Sequence, residues 1–290
     1  MTTYTLRTIP LKRAGHALHL DCMQVDGGSP SKSILLMHGS TCSSHIFDLD
    51  YKDYSFARRL AREGYAVWRL DITGYGQSEE VEDGLLPDAA YAAEDIEAAA
   101  EIITREMGQD KIDLLGWSWG TMTAGKFASL YPEHLQRLVL YAPVLYGLGR
   151  EEITEKFHHN TWETASEDFQ RTEDGSIDEA MTDPVVVRMF CSNCWRYDKE
   201  TSPNGWKKDA LVDPSEALID LEKISVPTLV ICGDKDPYVD VETVRASMDR
   251  LPEGSELEVF PGGSHIMIYE EPLYRAFQDR VIRFLGKALI

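Results

Sequence analysis

No apolar run in this sequence approaches the roughly 18 residues that a helix needs to cross a bilayer, which excludes a helical transporter or channel. Basic side chains are the scarce charge: 29 Lys and Arg stand against 49 Asp and Glu, a formal charge of −20. Such a chain repels phosphate backbones and anionic lipid, and no Lys/Arg-rich tract offsets the repulsion locally. Neither nucleic acid nor a membrane is therefore an expected partner. Cysteines are few and odd in number (Cys22, Cys42, Cys191, Cys194, Cys232), and the stretch from Met1 to Arg13 lacks the apolar core of a signal peptide. The expectation is a reduced, cytoplasmic protein without a disulfide framework. Cys191 and Cys194 form a C-x-x-C pair, but no second pair or neighbouring histidine completes a zinc set in the sequence, so packing is their expected role. Phosphate loops are missing too: Gly74 and Gly76 are followed by Gln77, Ser78 and Glu79, so G-x-G-x-x-G fails at its third glycine. With neither a Walker loop nor H-E-x-x-H present, no nucleotide and no metal cofactor is expected.

What the 290 residues do contain is an alternation of short apolar runs and amphipathic stretches. Strands are expected at Tyr4–Ile9, Ala17–Val25, Ser33–Met37, Tyr65–Leu70, Ile112–Leu115, Leu138–Tyr141, Pro227–Ile231 and Leu257–Phe260. The later ones are almost wholly apolar, as parallel strands covered on both faces are. Ala89–Met107 carries Ile96, Ala99, Ile103 and Met107 at helical spacing and stops at Gly108; after Pro272, Leu273, Phe277, Val281 and Phe284 share one helix face. Strand and helix in repetition predict an α/β fold, a doubly wound and mostly parallel sheet of eight strands. From about Leu145 to Ala217 the rhythm breaks, with Trp162, Met181, Met189, Phe190, Trp195 and Trp206 among many charges and turn signals. This is read as a mostly helical cap, residues 145–217, inserted into a core of residues 1–144 and 218–290.

The chemistry begins at Gly116-Trp117-Ser118-Trp119-Gly120, between the strand Ile112–Leu115 and the helical stretch Thr121–Leu130. A sharp strand-to-helix turn needs small residues two before and two after the serine, and it projects the hydroxyl beyond the strand's carboxyl end, where ligands bind in open α/β sheets. A serine hydroxyl is a weak nucleophile until a base takes its proton, and that base needs an acid to fix its tautomer. Two later strands supply both. One ends in Gly233-Asp234-Lys235-Asp236-Pro237, the other in Gly262-Gly263-Ser264-His265. All three groups leave the sheet on one edge in the order Ser, Asp, His.

In this respect the sequence resembles the α/β-hydrolase superfamily. The resemblance spans most of the chain and is carried by Met37-His38-Gly39-Ser40, by Asp71-Ile72-Thr73-Gly74-Tyr75-Gly76-Gln77-Ser78, by the turn around Ser118, and by the Gly-x-Asp-x-Asp and Gly-x-His segments. It implies Ser118 as nucleophile, Asp236 as acid and His265 as general base. Asp234 is the rival acid, and the family pattern favours the carboxylate just before the proline. The backbone N–H groups of Trp119 and of Ser40, or of Thr41 in its place, would receive the oxyanion. His38, Thr41 and Cys42 would stand at the pocket, with His38 supporting the oxyanion loop. The remaining histidines, His16, His19, His45, His134, His158 and His159, suit solvated or packed roles.

A serine rather than an aspartate at position 118 implies an acyl-enzyme, with a small, apolar carboxylic ester, thioester or lactone as substrate and no cofactor. The same triad also serves hydrolysis of a carbon–carbon bond in a 1,3-diketone, or acyl transfer. A catalytically silent ligand receptor is the remaining alternative, because fold does not fix function. Prolyl aminopeptidases fit less well, since their glycine-rich His-Gly-Gly-Pro-Gly loop is here His38-Gly39-Ser40-Thr41-Cys42. Glu151 and Glu152 remain able to bind a substrate ammonium. Oligomeric state is not legible in the sequence.

Overall fold

The computed structural model of the chain describes residues 2–198, 200–271 and 273–287. Eight strands build the sheet: β1 (Tyr4–Arg13), β2 (His16–Val25), β3 (Lys32–Met37), β4 (Tyr65–Leu70), β5 (Ile112–Trp117), β6 (Leu135–Tyr141), and, after the insertion that carries β7 (Phe157–His159) and β8 (Thr201–Pro203), β9 (Thr228–Gly233) and β10 (Glu256–Phe260). Their spatial order is β1-β2-β4-β3-β5-β6-β9-β10. β2 pairs antiparallel with both β1 and β4, while all the other ladders are parallel. Each apolar run named from the sequence lies on one of these eight strands, and the sheet is mostly parallel as expected.

Side chains alternate across the sheet, so each parallel strand feeds two cores. On β3, Leu35 and Met37 join one buried cluster, with residues of α2 (Ala89–Met107), α3 (Trp119–Leu130) and α7 (Val241–Ser247). Ile34 and Leu36 join the other, with α1 (Phe56–Arg62) and α8 (Leu273–Leu285). Helices on both faces make the sheet doubly wound. The start of α2 is fixed by Asp88, whose carboxylate accepts the Tyr91 N–H at 3.0 Å, and its end by Gly108 in the left-handed region at φ 62°. Pro272, read as the boundary of α8, lies outside the described residues.

The chain leaves the sheet after β6 and returns before β9 through one antiparallel bridge, Tyr146 to Ala217. The segment between them, read as mostly helical, is helical only in part. It holds α4 (Trp162–Ala165), α5 (Pro184–Tyr197) and α6 (Trp206–Ala210), but also an antiparallel ribbon of β7 and β8. Three-residue strands are too short to show a period of two, so His158 and His159 carried no strand signal. Among the described residues no helix is long and apolar enough to cross a membrane.

Candidate active site

At the end of β5 the backbone turns so sharply that Ser118 sits at φ 58°, ψ −126°, a region side chains rarely occupy. The flanking glycines make that turn possible. A Cβ on Gly116 would lie 2.1 Å from the Gly120 carbonyl oxygen, and one on Gly120 would lie 2.6 Å from that of His38. Two strands away, β9 runs into Asp234, Lys235 and Asp236; beside it, β10 runs into the loop that ends in His265.

These three loops meet. His265 Nε2 is 2.8 Å from Ser118 Oγ, and His265 Nδ1 is 2.8 Å from Asp236 Oδ2. The other carboxylate oxygen of Asp236 accepts the Tyr238 N–H at 2.9 Å. Asp234 is exposed and accepts the Gly262 N–H at 2.8 Å, so it steadies the histidine loop without touching the imidazole. The carbonyl of His265 is held by Trp117 Nε1 at 3.0 Å and the Tyr141 hydroxyl at 2.9 Å. Burial by itself would depress the His265 pKa. The hydrogen bond to Asp236 and the charges of Asp236 and Asp168 outweigh it and lift the imidazole above its ordinary 6.5.

His38 stands apart from this relay. It is wholly buried and does not line the cavity, which corrects its placement at the pocket. Its Nδ1–H donates to the Gly39 carbonyl at 2.8 Å and its Nε2 accepts the Ile72 N–H at 3.1 Å. Burial lowers its pKa, so the ring stays neutral and fastens the loop carrying Ser40. Among the described residues no acceptor takes the N–H of Ser40 or Trp119. Both residues line the cavity, as Ser118 does, so two amides without an acceptor stand at the wall that carries the serine hydroxyl.

The cavity over Ser118 has a volume of about 310 Å³. Thr41 and Cys42 line it, the latter as a thiol kept protonated by burial and by the charge of Asp198. Sequence reasoning missed the residues that give the cavity its polarity. Glu151, Glu167 and Asp168 line it together with His158 and Lys207. His158 was read as solvated or packed, yet β7 turns it to the cavity, with no hydrogen-bond partner for its buried Nε2. Burial raises the Asp168 carboxyl, and the charge of Asp236 adds to that against the pull of His265. No local motif announces such residues, because the inserted segment brings them in from three separate stretches.

The five cysteines are all buried and unpaired. Cys194 does have a histidine neighbour in space: among the described residues, His45, Cys194 and Asp198 are the group whose donor atoms lie near enough for a metal ion. Asp198 is already engaged there, by the hydroxyl of Ser43 and by His45 Nε2 at 2.7 Å, so the group serves to fasten the end of α5 to the segment after Cys42.

Residues 28–272 match the family model described as serine aminopeptidase, S33. The chain is 26% identical over 270 residues to a proline iminopeptidase of Lactobacillus crispatus, covering 84% of this chain and 87% of that one. It is 24% identical over 251 residues to a putative esterase/lipase of Haemophilus influenzae, covering 82% of this chain and 80% of that one. Among solved structures, the esterase EaEST from Exiguobacterium antarcticum superposes with a TM-score of 0.68 at 19% identity, covering 97% of this chain and 100% of that one.

Proposed function

The chain belongs to the serine aminopeptidase S33 family of the α/β-hydrolase superfamily, and from that premise we propose that it is a serine hydrolase which cleaves a carboxylic ester, thioester or lactone through an acyl-enzyme on Ser118. The observation that carries this reading is the unbroken line from Ser118 Oγ through the His265 ring to Asp236, with 2.8 Å at each step, at the wall of a cavity of about 310 Å³. His265 takes the Ser118 proton as the hydroxyl attacks the substrate carbonyl, and Asp236 steadies the imidazolium that results. The amides of Trp119 and Ser40 receive the negative charge. The imidazolium returns its proton to the leaving group; water then enters and attacks the acyl carbon while His265 takes its proton, and the imidazolium passes that proton to Ser118 Oγ as the acid departs.

The test is turnover of p-nitrophenyl esters of graded acyl length by the wild type and by Ser118→Ala. Removing the nucleophile should lower kcat at least about a thousandfold while the protein stays folded. Full turnover by the variant would remove the assignment.

One observation favours a second reading, cleavage of the amide bond after an amino-terminal residue. Glu151, Glu167 and Asp168 form an acidic wall suited to a substrate ammonium, and similarity to proline iminopeptidases brings back a reaction that the Ser40-Thr41-Cys42 loop argued against. Comparing proline p-nitroanilide with p-nitrophenyl acetate decides between them. Preference for the anilide by more than tenfold in kcat/KM would make the ester reading secondary.

A further inference from the structure

His265 hangs on a loop that has little secondary structure of its own; Trp117 and Tyr141 hold the His265 carbonyl, and the turn after β9 holds Gly262 through the Asp234 carboxylate at 2.8 Å and Gly263 through the Lys235 N–H at 2.9 Å. Ser264 and the Gly262 carbonyl are held by a buried polar cluster that the relay does not use. Glu270, wholly buried, accepts the Ser264 N–H at 3.0 Å on one oxygen and the Ser264 hydroxyl at 2.7 Å on the other. Its remaining donor comes from outside the core. Gln170, on the inserted segment, reaches Glu270 Oε1 at 2.9 Å and the Gly262 carbonyl at 2.8 Å, both through Nε2. An amide nitrogen has two hydrogens, and both are spent on the loop that carries the base. The surrounding segment is seated to match: Phe169 packs edge-on against Phe190 at 5.4 Å, Phe190 against Tyr269 at 5.4 Å, and the Glu271 N–H donates to the Met181 carbonyl at 2.6 Å.

We propose that Gln170 is a positioning residue for His265: by clasping the Gly262 carbonyl and the Glu270 carboxylate, it holds the imidazole in register with Ser118 only while the inserted segment is seated. The clasp makes the segment part of the base as well as the wall of the cavity. A buried carboxylate that loses one of its donors is left short of a partner it cannot replace with water, so the loop shifts to find one. A displacement of about 1 Å at the base is enough to lower the chemical step by up to about a hundredfold without touching the substrate. The inference rests on the hydrolase reading for its kinetic consequence, but not for its structural one.

The experiment compares wild type, Gln170→Leu, Gln170→Asn and, as control, Glu173→Ala on the exposed turn beyond the clasp. Hydrogen exchange over residues 261–266, kcat and KM for p-nitrophenyl acetate, and the rate of fluorophosphonate labelling are read together. Gln170→Leu should exchange at least tenfold faster in the loop, lose about tenfold in kcat and in labelling rate, and keep KM within about twofold. The shorter Gln170→Asn, able to keep one contact, should fall between and carries the test if the leucine variant does not fold. Glu173→Ala should match wild type throughout. Unchanged loop exchange in the Gln170 variants overturns the proposal, and so does a loss confined to KM. A wild type that neither turns over esters nor takes the label defeats the hydrolase reading instead, while loop exchange still decides the clasp.

Discussion

Asp236 and Asp234 are two residues apart and nearly equal as sequence, yet the fold gives them unlike work. Asp236 is buried against the imidazole; Asp234 is exposed and accepts a backbone N–H of the neighbouring loop. Asp236→Asn should therefore lower kcat by about ten-thousandfold through loss of the tautomer lock, whereas Asp234→Asn should cost less than about tenfold. Steady-state ester hydrolysis separates them, and equal losses would reopen the choice. The base itself sets the pH dependence. In the proposed mechanism neutral His265 is the active form, and its pKa is raised above 6.5 because the hydrogen bond and charge of Asp236, with the charge of Asp168, outweigh burial. Activity should fall as pH drops through a value above 6.5, and Asp168→Asn should move that limb to lower pH. A pH–kcat/KM profile checks both, and an unmoved limb would place Asp168 away from the base. The sequence yielded Ser118, Asp236 and His265 because each follows a strand in a short, glycine-marked segment. It did not yield Asp168, Gln170 or His158, whose positions depend on how a long insertion folds back.

At the level of elements, apolar runs located the eight strands of the sheet, and helical spacing with a terminal glycine located α2, because both signals are local. β7 and β8 escaped notice because three residues pair only when the insertion brings them together. Strand β5 also carries a carboxylate that the relay never uses. Asp113 is buried with one oxygen lacking a hydrogen-bond partner, and burial pushes its carboxyl up to about 7 against the pull of Arg137, 3.9 Å away. The fold thus favours the neutral acid. Relative to an unfolded carboxyl near 3.8, this group leaves stability unaffected below that value and erodes it as pH rises from about 4 to about 7, after which the loss is complete. Asp113→Asn should accordingly raise stability at pH 8 by on the order of a few kcal/mol and change it little near pH 4. Urea midpoints at the two pH values test this, and equal midpoints for variant and wild type at pH 8 would contradict it.

Over the whole molecule the acidic excess and the acidic cavity wall point the same way. A chain of charge −20 attracts cations at long range, an effect that salt removes, since the screening length falls from about 30 Å at 0.01 M to about 3 Å at 1 M. With substrates matched in shape, kcat/KM for a cationic ester should fall several-fold between 0.02 and about 0.5 M NaCl, while that for its neutral isostere stays constant. Parallel salt responses would mean that the field does not reach the cavity. Global charge was legible from composition, but its convergence on the cavity was not, because Glu151, Glu167 and Asp168 become neighbours only around a shared void. The proposed hydrolysis turns on a covalent bond to one oxygen atom, Ser118 Oγ. Rapid quench of the protein with a p-nitrophenyl ester, followed by peptide mass analysis, should find the acyl group on the peptide containing Ser118 and nowhere else. Burst release of nitrophenol without any acylated peptide, or acylation of a different residue, would contradict it.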